Sequence, residues 1–374
     1  MNEKAYFRPT IATIDLQAIQ QNVSNLKKYL KTDAEIIAVV KANAYGHGDV
    51  QVSEAAFRAG ATMLAVATPE EALHIRTAIK EVPLLILGAV PQDFIPFASQ
   101  NNITLTVFSA QWIVQASRDY GHLDSKVKVH MKIDSGMGRI GVREEAELIA
   151  LQKVIVQSPI FELDGIFTHF ATADEETSEY YEIQKSKFIQ LVSSLDEKPR
   201  LVHAANTAAS LVKDRVEFDA VRFGISMYGL SPSEFVETQL PFELNPALTL
   251  ESELVHVKKI HKGEHVGYGA KFEAATDETW VGTLPIGYAD GLLRGLEGQE
   301  VLVQGERVKI IGRICMDQTM VQLPREMAVG EKVVLIGKQN NNCIPMQEWA
   351  DRLQTIVYEI SCMLSSRITR VYKD

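Results

Sequence analysis

Short, almost wholly apolar runs alternate with segments of helical period along most of the chain. The runs are EIIAVV (35–40), MLAVAT (63–68), LLILG (84–88), ITLTVF (103–108), VKVHMKID (127–134), LDGIFTHF (163–170), LVHAAN (201–206) and AVRFGISMYG (220–229). Runs of this kind read as strands covered on both faces, the condition of a parallel sheet. The segments between them carry helical spacing, as in EEALHIRTAIK (70–80), and IDLQAIQQNVSNLKKYL (14–30) has the pattern of an amphipathic helix. Thr68, Pro69 and Glu71 make a helix start: a capping hydroxyl, a proline in the first turn and a returning carboxylate. Eight strands alternating with helices predict an α/β fold of the (β/α)8 barrel type. A doubly wound open sheet is the alternative, and the lack of a G-x-G-x-x-G after any of these strands counts against it.

Near PFELNPALTL (241–250) the pattern changes to alternating strands: ELVHVKKI, TWVGTLPIGY, EVLVQGERVKIIGRI, QTMVQL and EKVVLIGK, with glycine turns at 263, 305 and 330. Only PMQEWADRL (345–353) reads as helix there. The expected organisation is a barrel over residues 1–240 and a mainly β domain over 241–374, with the first ten or so residues packing on the second domain.

Composition narrows the class of partner. A net charge of −10, with 46% hydrophobic and 23% charged residues, describes an ordinary globular chain with no electrostatic case for nucleic acid or an anionic membrane. The cysteines at 315, 343 and 362 lack metal-ligand spacing, so reduced thiols and no metal are expected. The first ten residues lack the apolar core of a signal peptide, and VPLLILGAV (82–90) is too short to span a bilayer; a cytoplasmic location is expected.

In a barrel, chemistry gathers at the C-terminal ends of the strands. Lys41 follows the first run, within AVVKANAYGHG (38–48), and Lys132 and Arg139 lie at and after the fifth. His169 ends the sixth, His203, Asn206 and Thr207 end the seventh, and Arg222 lies in the eighth beside Gly224 and Ile225. Taken singly, each could be a surface charge or a satisfied core histidine. Their recurrence at one end of five runs is what a small-molecule pocket looks like. A lysine desolvated among cations has a lowered pKa and can form a Schiff base. Thr207 and the backbone of Gly224 and Ile225, with Tyr45, suit a phosphate, and lysine plus phosphate cradle implies pyridoxal 5′-phosphate. Gly46 and Gly48 are expected to let the backbone turn close to that cofactor.

AVVKANAYGHG resembles the cofactor-attachment motif of bacterial alanine racemases. The resemblance runs through DSGMGRIG (134–141), THFATAD (168–174), HAANTAAS (203–210), VRFGISMYG (221–229), VGYGA (266–270), PIGYADG (285–291) and GRICMDQ (312–318). It implies PLP-dependent interconversion of L- and D-alanine by two bases, supplying peptidoglycan, in a homodimer whose sites are shared between the barrel of one chain and the β domain of the other. Lys41 would carry PLP and serve as one base, and Tyr268 of the partner chain as the other. Tyr45, Thr207, Gly224 and Ile225 would hold the phosphate, Arg222 would face the pyridine nitrogen with His203 behind it, and His169 would bond Arg222 or support Tyr268. Arg139 and the Met316 backbone would take the substrate carboxylate, with Tyr288 and Asp317 lining the substrate end. Lys132 matches a lysine that is carbamylated in family members. Thr207 stands where many relatives have serine, and Ser366 where some carry a phosphate-contacting tyrosine, which puts that contact in doubt.

A related racemase acting on serine fits the same motifs, because hydroxymethyl and methyl differ little in size. A PLP-carrying regulatory protein has no need of VGYGA and a second base. A metal-dependent barrel enzyme lacks paired histidines.

Overall fold

Each of the eight runs falls on a parallel strand, and the strand of the sixth run begins two residues before it. The structure, a computed structural model, describes residues 7–30, 33–213 and 218–374. After a first strand β1 (Ile11–Asp15) come β2 (Glu35–Val39), β3 (Met63–Val66), β4 (Leu84–Ile86), β5 (Ile103–Val107), β6 (Val127–Lys132), β7 (Phe161–Phe167), β8 (Leu201–His203) and β9 (Ala220–Phe223). Strands β2 to β9 form a closed barrel, sealed where Glu35 to Ala38 run parallel to Ala220 to Phe223. The open-sheet alternative is thereby excluded. Continuous apolar character follows from burial on both faces: every residue of β3, β4 and β5 is buried. Most runs continue past the end of the strand, because the residues beyond it form the mouth of the barrel.

The start signal at Thr68 is a full capping box on the helix Pro69–Ala78. The helix expected from residue 14 begins at Leu16, since Ile11–Asp15 is drawn into a sheet.

The described chain divides into two compact units, Ala18–Ala44 with Gly48–Asn245, and the segment up to Gln17 with Tyr45–His47 and Pro246–Asp374. The change of sequence pattern puts the division at 240/241, five residues earlier. Residues 1–6 of the N-terminal segment lie outside the described residues. The second unit is built on a largely antiparallel sheet in which Leu248–Glu253 pairs with β1, and β1 runs parallel to Thr369–Lys373. Leu248–Glu253 alternates buried and half-buried side chains, as expected of a sheet with one face on a core. Turns at Gly263, Gly305 and Gly330 all have positive φ, which glycine adopts without steric cost.

One expectation for this unit is corrected. Besides Met346–Leu353, Val357–Met363 is helical. Its buried residues Val357, Ile360 and Ser361 follow helical spacing, but seven residues are too few for the period to stand out in the sequence.

Candidate active site

Lys41 follows β2 and opens an unusual turn. Ala42, Asn43, Ala44 and Tyr45 all have φ between 51° and 53°, so the chain makes a left-handed helical turn without a glycine in it. That conformation costs an L-residue about 1–2 kcal/mol each. Within the barrel unit it is held by hydrogen bonds from Ala44 N to Val40 O at 2.8 Å, from Gly48 N to Asn43 O at 2.9 Å and from Ala42 N to Glu71 Oε1 at 2.7 Å. The other carboxylate oxygen of Glu71 accepts from Ala67 N at 2.7 Å, so one capping residue ties the turn to the end of β3. Gly46 has φ +82°, and a Cβ there would lie 2.2 Å from the carbonyl oxygen of Ser361, so both the turn and the backbone contact require a glycine.

At the barrel mouth Arg222 is buried, and its hydrogen-bond partners among the described residues are all neutral acceptors. It donates to Thr168 O at 2.7 Å, Ala204 O at 2.8 Å, His203 Nδ1 at 3.0 Å and His169 Nδ1 at 3.3 Å. The open question about His169 is therefore answered in part: its Nδ1 faces Arg222. Burial, and next the Arg222 charge, hold both His169 and His203 well below the ordinary imidazole range, so both are neutral. Burial, then repulsion from Arg139, lowers Arg222 to about 9, and the guanidinium stays charged at neutral pH.

Lys132 donates to Ile133 O at 2.7 Å and, like Arg222, lies over the ring of Phe167, at 5.3 and 5.4 Å from its centre respectively. Burial, then Arg222, lowers Lys132 to about 7 against the opposing pull of Asp134. Asp134 accepts from Gly136 N at 3.2 Å and Gly138 N at 2.9 Å, which shapes the loop that presents exposed Arg139.

Asn206 caps the short helix Thr207–Val212 by accepting from Ala209 N at 3.0 Å, and also donates to Phe170 O at 3.3 Å. Thr207 Oγ1 accepts from Gly224 N at 2.8 Å, which leaves its hydroxyl proton to be donated. Ile225, next in the chain, is fully buried. The barrel unit thus brings together Lys41, Lys132, Arg139, His169, His203, Asn206, Thr207, Arg222, Gly224 and Ile225.

The remaining candidates belong to the second unit. Tyr268 sits on the tip joining His265–Val266 to Phe272–Glu273, between Gly267 and Gly269 at positive φ, and is 69% exposed. The loops of Tyr288 and Met316 are stitched by Tyr288 N to Cys315 O at 3.0 Å and Ala289 N to Met316 O at 3.1 Å. Asp317 pairs with Arg367 at 2.7 Å. The ring of Tyr45 lies 6.0 Å from that of Tyr358, a residue the sequence reading passed over, whereas Ser366 is exposed in the turn Ser365–Ile368. Nothing in the spacing marked Tyr358. His130 was also passed over, although it interrupts an apolar strand two residues before Lys132 and so shares its side.

Residues 14–232 match the N-terminal domain of alanine racemases, and residues 247–372 match their C-terminal domain. The chain belongs to the alanine racemase family. Alanine racemase 1 of Bacillus subtilis is 48% identical over 374 residues, which cover 100% of this chain and 95% of that protein. The crystal structure of alanine racemase from Bacillus anthracis with bound L-Ala-P matches with a TM-score of 0.95 and 45% identity, over 99% of this chain and 96% of that one. A histidine racemase from Leuconostoc mesenteroides also matches, with a TM-score of 0.94 and 31% identity over 100% of both chains. The serine alternative is not favoured, since the curated relatives at about this identity are named for alanine. No helix among the described residues is long and apolar enough to cross a membrane.

Proposed function

We propose that the protein interconverts L- and D-alanine with pyridoxal 5′-phosphate bound at the barrel mouth, in the cytoplasm, as a homodimer with shared sites. The observation that carries this is the buried Arg222, charged and donating only to neutral acceptors among neutral histidines, on the strand beside the one that delivers Lys41. The donor set fits the cofactor. Lys41, Lys132, Arg139 and Arg222 make a cationic mouth suited to the phosphate and carboxylate anions that cofactor and substrate bring, and Thr207 offers a hydroxyl proton beside the Gly224 and Ile225 backbone.

Pyridoxal phosphate, when bound, supplies an electron-withdrawing ring that accepts the electron pair left by the α-proton. The chain supplies the rest. Lys41 holds the cofactor and moves the α-proton at one face, and Tyr268 of the partner chain moves it at the other. Arg222 donates toward the ring nitrogen and cannot give up its proton there, which keeps that nitrogen unprotonated. Arg139 and the Met316 backbone take the substrate carboxylate, and Tyr288 and Asp317 line its approach. A carbamate on Lys132 turns a cation beside Arg139 into an anion that orients it; a lysine brought to about 7 is deprotonated enough to react with carbon dioxide. Tyr45 supports the phosphate, and its neighbour Tyr358 is a better second hydroxyl than exposed Ser366.

The test is direct. Purified protein should show the visible absorbance of bound PLP, convert L-alanine to D-alanine by polarimetry, and turn over serine far more slowly. Borohydride reduction should fix the pyridoxyl group on the Lys41 peptide; a label on another lysine, or no racemisation by the PLP-loaded protein, overturns the proposal.

A further inference from the structure

Arg222 has a support that runs away from the mouth, down through the barrel. Its guanidinium only donates, so His203 Nδ1, 3.0 Å away, must accept. A neutral His203 then carries its proton on Nε2, which faces His130 Nδ1 at 3.0 Å. His130 in turn accepts at Nδ1 and carries its proton on Nε2, which faces Asp164 Oδ2 at 3.1 Å. Arg200 grips both Asp164 oxygens at 2.9 Å and reaches Glu35 at 3.0 Å. Each proton position in this chain is set by a group that can play one role only: a guanidinium at the top, a carboxylate at the bottom.

The charge states agree. Burial holds His130 low against the pull of Asp164, so it is neutral. Burial works to raise Asp164, but hydrogen bonds from His130 and Arg200 outweigh it and keep the carboxylate ionised.

The fold makes room for the middle member. The register of β6 against β7 shifts between Val129 and His130. A Cβ on Gly165 would lie 2.6–2.7 Å from three atoms of the His130 ring, so the imidazole lies against a residue that has no side chain. Phe167 stacks on His203 with ring centres 4.7 Å apart and planes within 4°, which fixes that ring as well.

We infer that His130 and Asp164, seated by Gly165, are positioning residues that fix the tautomer of His203 and thereby hold Arg222 in the orientation racemisation needs. The inference rests on the reading of Arg222 as the partner of the cofactor ring. An imidazole can carry its proton on either nitrogen. If His203 carried it on Nδ1, an N–H would face an N–H of Arg222 and one support of a buried cation would be lost. A carboxylate below His130 removes that choice.

The test uses the PLP-loaded enzyme labelled with nitrogen-15 at histidine. Wild type should show His203 and His130 neutral, with the proton on Nε2 in both. Asp164→Asn can still serve His130 and Arg200 through the one oxygen they share, whereas in Asp164→Leu no oxygen is left to accept from His130 Nε2–H. His130 should switch tautomer, His203 should follow, and kcat should fall about tenfold to a hundredfold, the scale of a misplaced catalytic group, with KM changed much less. Gly165→Ala, which displaces the ring and alters no polar group, should lower kcat in the same direction and disturb the His203 signal. A His203 proton on Nδ1 in wild type overturns the inference. So does an unchanged His203 tautomer in folded Asp164→Leu, or an unchanged kcat once the tautomer has switched. The reading of Arg222 fails by a different result: Arg222→Lys with the bound-cofactor spectrum and kcat of wild type.

Discussion

The two units prepare their candidate residues in opposite ways. In the barrel, Arg222, His203 and Lys132 are buried and already hydrogen-bonded within the barrel unit. In the second unit, Tyr268 is 69% and Met316 52% exposed. One set is held by its own interior and is ready before any ligand arrives. The other is displayed on exposed tips and loops, which suits residues that complete a site in another molecule. A burial-based search for the site would find the first set and miss the second.

The largest effect should come from the buried end. Lys41→Ala should lower racemisation by at least about 10⁴-fold and abolish the visible absorbance of bound PLP, while far-UV circular dichroism stays unchanged. Residual activity within tenfold of wild type would break the contrast at its centre. Next comes the displayed end. Tyr268→Phe should cost about 10²–10⁴-fold, and α-proton exchange in deuterium oxide should fall for one enantiomer much more than for the other. Mixing Lys41→Ala with Tyr268→Phe chains should restore activity, since one site of each heterodimer then has both bases. No rescue from proven heterodimers would put both bases in one chain.

A smaller effect sharpens the electrostatics. Carbon dioxide reacts with the neutral amine, so carbon-13 bicarbonate should label Lys132 increasingly as pH rises through about 7, and Lys132→Arg should show no such signal. The same shift has a signed consequence for stability. Between about pH 7 and the ordinary lysine range, the unfolded chain holds a proton at this position that the folded chain has lost, so this group makes stability rise with pH across that window. Denaturant titrations in carbonate-free buffer should show that rise flattened in Lys132→Met. Cofactor affinity should respond less. Thr207→Val should weaken PLP binding about tenfold to a hundredfold, as expected for one hydrogen bond to a charged group, and Thr207→Ser should stay near wild type. Smallest of all is Ser366→Tyr, expected to change PLP affinity less than about threefold because Tyr358 already packs on Tyr45.

The barrel was legible because parallel strands covered on both faces leave unbroken apolar runs, and because polar residues cluster where those runs end. Its closure was not, since pairing of β2 with β9 leaves no local mark. Strand β1 was hidden within a segment read partly as helix, because its partners lie more than two hundred residues further on. Lys41 was marked by its place after an apolar run, and Tyr268 by the family motif alone. The supports were invisible for a physical reason: His130 and Asp164 act by facing one another across neighbouring strands, a relation set by register, and Gly165 contributes by lacking an atom.

The left-handed turn after Lys41 has a stereochemical consequence of its own. For an L-residue φ near +50° is the unfavourable hand, and for its mirror image it is the favoured one. Positions 42 and 44 are alanines held in that conformation. The backbone that follows Lys41 is therefore built, at two places, in the geometry that D-alanine would adopt without strain. Semisynthetic D-alanine at 42 or 44 should raise the melting temperature, whereas glycine should gain less because it also loosens the unfolded chain. By this reading, a chain that makes the D enantiomer carries two L-alanines in the conformation natural to that product.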